Sequence, residues 1–295
     1  MKGLNDLIQR AISQVSGKVG IGYKNLATGE TFFYNGDDRF VAASTFKVPV
    51  LVEFYKQIIQ GTLELEQSYT LQADDIIFGS GVLQELTPGL SLSLKDYATL
   101  MMIISDNTAT DVITNTVGKA NINATMTELG LSNTKVMWTC KELLYNAVGI
   151  KADDDEETIK TKLAKGVLDY EASCFTDFEI NDFTSPADMV SLFDSIYHHK
   201  ILNDFACTAM INTMKRCQTN WRMPRYLPPG IEVSHKTGSI GGVANDVGIV
   251  YTDQADYILA IYYHGEAPKT RINHQGFDFI ANLSREIYDY VVSSN

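Results

Sequence analysis

Two residues with the chemistry of a nucleophile and a base stand three positions apart near the start of the chain. Ser44 and Lys47 lie in the stretch Phe40–Val50, which reads FVAASTFKVPV. On a helical turn, residues three apart share one face and come within hydrogen-bond reach. A serine hydroxyl needs a base that takes its proton, and a lysine becomes such a base where apolar neighbours lower its pKa. Taken alone, the pair favours a helix-capping serine and a solvated lysine, because this spacing recurs by chance in most chains of this length.

Two further motifs favour the chemical interpretation. Ser105 and Asn107 flank Asp106 in LMMIISDNTATDVI, and residues 236–238 form Lys-Thr-Gly in VSHKTGSIGG. The ordered set Ser-x-x-Lys, Ser-Asp-Asn and Lys-Thr-Gly is typical of class A β-lactamases and penicillin-binding proteins. The chain therefore resembles the class A β-lactamase-like serine hydrolases. Asp106 also suits the N-cap of a following helix, a role compatible with the motif.

The resemblance covers nearly the whole chain. Beyond the motifs it rests on GSGVLQELTPG at 79–89, the run 92–118, LGLSNT at 129–134, FTSPADM at 183–189 and GGVANDVGIVY at 241–251. It implies a five-stranded antiparallel sheet, with the active site in a cleft between two domains. It implies neither a cofactor nor a metal ion.

The resemblance assigns a role to each motif residue in the acyl-transfer reaction. Ser44 is implied as the nucleophile and Lys47 as its proton acceptor or relay. Ser105 is implied to pass a proton to the leaving nitrogen, and Asn107 to bind the amide of the acyl side chain. The backbone N–H groups of Ser44 and Ser239 are implied to form the oxyanion hole.

The Lys-Thr-Gly segment is implied to bind the substrate beside the nucleophile. Lys236 adds positive charge to the cleft, and Thr237 with Ser239 binds a substrate carboxylate. Gly238 allows the backbone and the ligand to approach closely. His235, next to this motif, is expected to be packed or hydrogen-bonded rather than catalytic.

The sequence departs from the family between Leu168 and Pro186. Hydrolytic class A enzymes carry Glu-x-x-x-Asn in an omega loop, where the glutamate activates the deacylating water. Here the segment reads LDYEASCFTDFEINDFTSP, and neither Asp169 nor Glu171 is followed four residues later by asparagine. The segment is similar to a related group with a shorter omega loop. Glu171 is the first candidate for the deacylation base and Asp169 the second, and both also suit solvated helix positions.

Composition restricts the partners. The chain has 295 residues, 45% hydrophobic and 20% charged, with a net charge of −12. These values are ordinary for a globular protein of one large or two closely packed domains. The acidic balance excludes nucleic acid and anionic membrane surfaces, which attract basic faces. We expect a monomer that acts on a small molecule.

Neither a leader nor a disulfide pattern is predicted. The first residues, MKGLNDLIQRAISQVSGK, lack the continuous apolar run of a signal peptide, and no later segment is apolar for long enough to span a bilayer. As it stands the sequence indicates a cytoplasmic protein, or a periplasmic or secreted one if a leader has been removed. Its four cysteines have no metal-ligand spacing and are expected to be free thiols.

The hydrophobic periods predict the elements that must position these residues. Helices are expected at 4–15, 49–60, 94–104, 107–116, 121–129, 157–164, 186–197, 204–214 and 275–292. Strands are expected in a hairpin at 18–34 and at 232–235, 244–251 and 257–263. The continuous apolar run at 257–263 is typical of a strand covered on both faces. This order predicts an α/β fold of the β-lactamase/transpeptidase type, with an antiparallel sheet flanked by helices and an inserted all-α domain.

The predicted domains are discontinuous. Residues 1–50 and 190–295 are assigned to the α/β domain and residues 51–189 to the helical domain. Residues 140–166 form an insertion with an acidic run at 153–157. We interpret that run as a solvated surface. The position of the insertion, just before the segment that borders the site, also leaves open a role as a lid.

These observations are compatible with three functions. The leading hypothesis is a serine hydrolase that forms an acyl-enzyme at Ser44 with a β-lactam or a related amide. The second is a D-Ala-D-Ala carboxypeptidase or transpeptidase of the penicillin-binding type, which needs access to peptidoglycan. The third is a β-lactam-binding sensor that stays acylated, which agrees with the missing omega-loop glutamate.

Overall fold

The computed structural model describes residues 2–177, 179–265 and 273–293. In chain order its elements are α1 (Lys2–Ile12), β1 (Lys18–Asn25), β2 (Thr31–Tyr34), β3 (Phe40–Val41), α2 (Lys47–Ile59), β4 (Ser68–Thr70), β5 (Ser91–Ser93), α3 (Leu94–Ile103), α4 (Asn107–Val117), α5 (Lys119–Glu128), α6 (Cys140–Ala147), α7 (Glu156–Lys165), α8 (Ser173–Thr176), β6 (Phe183–Thr184), α9 (Pro186–Tyr197), α10 (Asp204–Met214), β7 (Val233–Ile240), β8 (Val243–Val250), β9 (Tyr257–His264) and α11 (His274–Ser293).

Five strands form one antiparallel sheet in the order β2-β1-β9-β8-β7. The first two come from the beginning of the chain and the last three from its end, so the two ends meet at the β1–β9 pair. This confirms the predicted α/β fold with its antiparallel sheet. β7 is longer than the strand predicted at 232–235, and it contains the whole Lys-Thr-Gly motif.

Strand β9 shows why the sheet needs helices on both faces. Side chains alternate between the faces of a strand, so an apolar residue at every position has to be covered on both sides. One set packs in the large core beneath the helices, namely Ile258, Ala260 and Tyr262. The other set packs in a second core with α1 and α11, namely Leu259, Ile261 and Tyr263. The prediction of a doubly covered strand is confirmed.

Helix α2 runs through the large core. Ten of its thirteen residues are buried, and it packs against α4, α5 and α10. Pro49 is the third residue of this helix, in the first turn, where a missing N–H breaks no intrahelical bond. The helix that follows the nucleophile is therefore central and buried, as the sequence predicts.

The insertion at 140–166 contains two helices. The prediction of a short helix at 157–164 is confirmed by α7, whereas α6 was not predicted. A capping box between Thr139 and Glu142 starts α6, so a local signal was present. In the acidic run, Asp155 caps α7, and Asp154 pairs with Lys162 at 2.5 Å.

The proposed domain division remains a prediction. Its boundary near residue 189 falls inside α9, which packs against β1 and β9. The four cysteines, Cys140, Cys174, Cys207 and Cys217, are all free and buried. Within the residues that the structure describes, no helix combines the length and the apolar character needed to cross a membrane.

The buried residue Asp182 joins the segment before Ser44 to the segment before α6, through its backbone carbonyl and its side-chain carboxyl group. The backbone carbonyl of Asp182 accepts the N–H of Ala42 at 2.9 Å. Its side-chain Oδ1 accepts the N–H groups of Met137 and Trp138 at 2.7 and 2.9 Å, whereas Oδ2 lies buried without a hydrogen-bond partner in the described residues. Burial raises the pKa of Asp182 to about 7, although the two N–H groups oppose this shift.

Asp182 should make stability depend on pH. Between its ordinary pKa of about 4 and its folded pKa of about 7, the folded state holds a proton that the unfolded state has released, so stability falls as pH rises. Asp182→Asn keeps an acceptor for both N–H groups and removes the titration. Urea denaturation measures the free energy of unfolding at pH 5 and at pH 8. We expect the decrease between these two pH values to be smaller in the variant than in the wild type by about 2–3 kcal/mol.

The exposed carboxyl group of Asp37 provides the control for this experiment. Asp37→Asn should leave the wild-type difference between pH 5 and pH 8 intact. An equal loss of stability in Asp182→Asn and wild type would contradict the assignment.

Candidate active site

Ser44 stands on a tight turn at the entrance of α2. Residues Ala43–Phe46 form one turn of 3-10 helix that continues into the α-helix. Ala43 has a φ of 43°, a left-handed conformation that is unusual for a residue with a Cβ and that marks this turn as constrained. The Ser44 side chain is partly exposed and lines a cavity of about 850 Å³, and its hydroxyl bonds no other described residue.

Lys47 is fully buried and donates three hydrogen bonds to residues of the second motif. Its Nζ donates to the backbone carbonyl of Ser105 at 2.9 Å, to the Ser105 hydroxyl at 3.0 Å and to Oδ1 of Asn107 at 3.1 Å. Burial lowers the pKa of the Lys47 ammonium, and the nearby carboxylates of Asp111 and Asp106 oppose this shift only in part. A lysine with a lowered pKa is suited to accept a proton.

The hydroxyl of Ser105 lies between two lysines. It accepts from Lys47 and from Lys236, each at 3.0 Å. Burial, together with the charge of Lys47, lowers the pKa of Lys236 to about 7. Ser105 itself has a φ of 58°, so the backbone is held in a costly conformation that presents this hydroxyl. The three motifs therefore meet at one hydroxyl group.

The other two residues of the second motif build the loop around that hydroxyl. Asp106 caps α4 by accepting the N–H of Ala109 at 2.9 Å, and its second oxygen accepts the N–H groups of Val82 and Leu83. The capping role expected for Asp106 is confirmed. Asn107 donates its Nδ2 to the Phe78 carbonyl at 3.1 Å, which fixes the orientation of its amide.

The third motif brings the free edge of β7 against the Ser44 turn. A Cβ on Gly238 would stand 2.8 Å from the Ala42 carbonyl oxygen and 3.1 Å from the Ser44 nitrogen, so only glycine fits there. Ile240 and Val243 are paired across a two-residue turn, so Ser239 occupies a non-hydrogen-bonded site of the ladder. Its N–H therefore points off the sheet edge, toward the cavity that Ser44 lines.

Sequence reasoning missed a buried arginine beneath this edge. Arg222 donates to the Gly238 carbonyl at 2.9 Å, to the Asn245 carbonyl at 2.6 Å and to the Ser239 hydroxyl. Burial lowers the pKa of its guanidinium to about 10. No local pattern marks this residue, because its partners are distant along the chain.

Asp246 holds the segment that carries Arg222, and His235 pairs with Asp246. His235 Nδ1 lies 2.8 Å from Asp246 Oδ1, and both side chains are buried. The other oxygen of Asp246 accepts the N–H of Met223 at 3.0 Å, which positions the segment that carries Arg222. His235 is thus hydrogen-bonded as expected.

The two predicted deacylation bases lie outside the site. Glu171 and Asp169 are exposed, and the N–H of Glu171 donates to Asp169 Oδ1 at 3.1 Å. Neither lines the cavity at Ser44, whose wall in this region is formed by Leu143, Leu144, Val148 and Leu168. Among the described residues, no carboxylate lines that cavity. The structure brings together the other predicted site residues but not this pair.

This combination of fold and site defines a class of proteins. An antiparallel sheet flanked by helices, with a serine at a helix entrance and two buried lysines around a second serine, is the arrangement of a serine β-lactamase-like hydrolase. The chain belongs to the beta-lactamase enzyme family, whose model matches residues 3–291.

Comparison with known proteins agrees with this membership. A beta-lactamase structure from Sphaerobacter thermophilus DSM 20745 is 28% identical, with a TM-score of 0.79 and coverage of 98% of this chain and 97% of that one. The structure of PBP-A is also 28% identical, with a TM-score of 0.80 and coverage of 98% and 96%. Beta-lactamase CARB-3 from Pseudomonas aeruginosa is 22% identical over 286 residues, which cover 95% of this chain and 88% of the relative.

Proposed function

We propose that Ser44 attacks the carbonyl of a β-lactam or a related amide and becomes acylated. The observation that carries this proposal is the convergence of Lys47 and Lys236 on the Ser105 hydroxyl, beside the cavity that Ser44, Asn107 and Ser239 line. A neighbouring base and a proton donor for the leaving group are what a serine nucleophile requires.

Each step of acylation has a residue in reach of this cavity. The neutral amine of Lys47 accepts the Ser44 proton as Oγ bonds to the carbonyl carbon. The N–H groups of Ser44 and Ser239 stabilise the negative carbonyl oxygen. When the C–N bond breaks, Ser105 gives its proton to the nitrogen, and Lys236 replaces that proton. The ester at Ser44 and the free amine are the products.

The cationic side of the cleft suits a substrate carboxylate. Arg222 is a buried cation that bonds the Ser239 hydroxyl, and the buried Lys236 donates to the carbonyl of Thr237 at 2.8 Å. Hydrogen bonds from hydroxyl groups backed by buried positive charge are stronger than those between neutral groups. Asn107 is the proposed partner of the acyl side-chain amide, since its orientation is fixed on both sides.

A second candidate function is a penicillin-binding protein that holds its acyl group. Two observations favour it: no described carboxylate lines the cavity at Ser44, and PBP-A is among the similar structures. A solved structure of a PBP-A mutant is an acyl-enzyme complex with penicillin G. Without a base beside the ester, hydrolysis is slow, and the two candidates differ in rate rather than in the first step.

The test follows the acyl-enzyme directly. Protein is mixed with penicillin G, and intact-protein mass spectrometry records the adduct over hours while a chromogenic cephalosporin reports turnover. Formation of an adduct on the peptide that contains Ser44 supports the proposal, and its lifetime separates the hydrolase from the penicillin-binding protein. No adduct and no turnover at millimolar ligand would refute both.

The rate of acylation should fall as the pH falls. Lys236 has a pKa of about 7, and the Lys47 pKa is also lowered, so falling pH adds a proton to this coupled pair. The mechanism needs one neutral lysine to accept the Ser44 proton and one protonated lysine to resupply Ser105, so the second proton that the pair takes up in acid removes the acceptor. We expect the second-order rate of adduct formation to be roughly 10–100-fold lower at pH 5 than at pH 8. A rate that stays constant over this range would show that neither lysine acts as the base.

A further inference from the structure

The cavity at Ser44 has two chemically different ends. Its reactive end is lined by Ser44, Asn107 and Ser239. Its other end is apolar and is lined by Leu144, Val148 and Leu163 of the insertion and by Leu168 just after it. A volume of about 850 Å³ is within the range of ligand sites, roughly 300–1,000 Å³. We call the second end the apolar annex.

The annex is formed by apolar side chains that the rest of the protein covers only in part. Leu144, Leu163 and Leu168 are only partly buried, and α7 has no buried residue at all. α7 therefore contributes nothing to the large core. Instead Leu163, near its last turn, faces the cavity at Ser44. Partly exposed leucines that converge on one cavity are typical of a ligand site.

Polar contacts hold the annex wall in place. Lys162, beside Leu163, donates to the Gly149 carbonyl at 2.7 Å and pairs with Asp154, which ties the end of α7 to the loop after α6. The N–H of Asp169, beside Leu168, donates to the Ala147 carbonyl at 2.8 Å. These contacts fix the two segments that carry Leu163 and Leu168, so this part of the annex wall is formed without a ligand.

The chemistry of the wall selects its occupant. Among the described lining residues none carries a carboxylate, an ammonium, a guanidinium or an imidazole group. Asn107 adjoins the annex, because a Cβ on Gly79 would stand 2.8 Å from Asn107 Nδ2 and 3.7 Å from Leu144 Cδ1. In the proposed function Asn107 binds the amide of the acyl side chain. The group beyond that amide therefore enters the annex.

We propose that the annex binds the acyl side chain of the substrate and favours long apolar chains. This proposal rests on the proposed function, because the acyl chain is placed by its attachment to the carbonyl that Ser44 attacks. Burial of each methylene group contributes about three- to fourfold in affinity. Chain length should therefore accelerate acylation until the annex is filled.

The experiment uses 6-aminopenicillanic acid acylated with straight chains from acetyl to octanoyl. The second-order rate of adduct formation is measured by intact-protein mass spectrometry for each member of the series. We expect the octanoyl compound to react roughly 10³-fold faster than the acetyl compound, because each of its six added methylenes contributes about three- to fourfold. Leu163→Asp should reduce that ratio at least tenfold, and Leu168→Ser provides an independent variant should the first fail to fold.

Val167 supplies a matched control. It precedes Leu168, is 70% exposed and does not line the cavity, so Val167→Ser should leave the ratio unchanged. Rates that are independent of chain length, or an equal loss of the ratio in Val167→Ser and Leu163→Asp, would overturn the proposal. Acylation at one rate by all members overturns the annex alone, whereas no acylation by any member overturns the proposed function.

Discussion

Ser44→Ala is expected to abolish the covalent adduct and to reduce any β-lactam turnover by roughly 10⁴–10⁶-fold, the scale on which serine hydrolases lose rate without their nucleophile. No other group in the cavity has the same support: Ser44 stands at the helix entrance, beside the Gly238 backbone and the outward N–H of Ser239. The measurement is intact-protein mass spectrometry after incubation with penicillin G, together with steady-state hydrolysis.

Ser80 is the matched control, because it is a second serine that lines the same cavity. Ser80→Ala should keep the adduct, whereas an adduct that persists in Ser44→Ala would show that another residue is the nucleophile.

Lys47→Ala should slow acylation by roughly 10²–10⁴-fold, as the loss of a general base does, and leave the adduct on Ser44. A folded Lys47→Ala protein with unchanged acylation would remove Lys47 from the mechanism.

The sequence was sufficient for the parts of the site that local patterns encode. Ser44 precedes a buried helix, Asp106 caps the helix after its motif, and the doubly apolar strand β9 required cover on both faces. Each of these features depends on neighbours within a few residues. The meeting of the motifs at Ser105 depends on the fold as a whole, and there the family resemblance supplied what spacing alone does not.

The parts that sequence did not predict arise from contacts between distant segments. Arg222 acts through Gly238 and Asn245, and nothing near it in the chain indicates that role. The position of Glu171 in the segment 168–186 predicts it as the base, but the direction of a side chain on a loop depends on how that loop packs. Here the cavity wall is apolar because α6 and the segment after α7 turn leucines toward it.

The acyl-enzyme should accumulate, with a burst of product followed by a slow steady rate. An ester at Ser44 is hydrolysed quickly only when a base stands within hydrogen-bond reach of a water aligned on its carbonyl. No described carboxylate lines the cavity, so we expect deacylation roughly 10²–10⁴-fold slower than with a positioned base. That factor corresponds to about 3–5 kcal/mol of barrier. Stopped-flow hydrolysis of a chromogenic cephalosporin measures both phases.

Variants of Glu171 and Asp169 test whether either carboxylate is the deacylation base, as the sequence predicts, or whether both stay outside the reaction, as their exposed positions indicate. If a water-activating role belonged to Glu171, Glu171→Gln would slow the steady phase by roughly 10²-fold and leave the burst intact, and Asp169→Asn would do so for Asp169. From their exposed positions we expect neither variant to change the steady rate by more than about twofold, since a base that does not reach the water contributes nothing to the barrier. A steady phase slowed in only one variant would identify that carboxylate as the base, and it would require the segment that carries it to close over the cavity during the reaction.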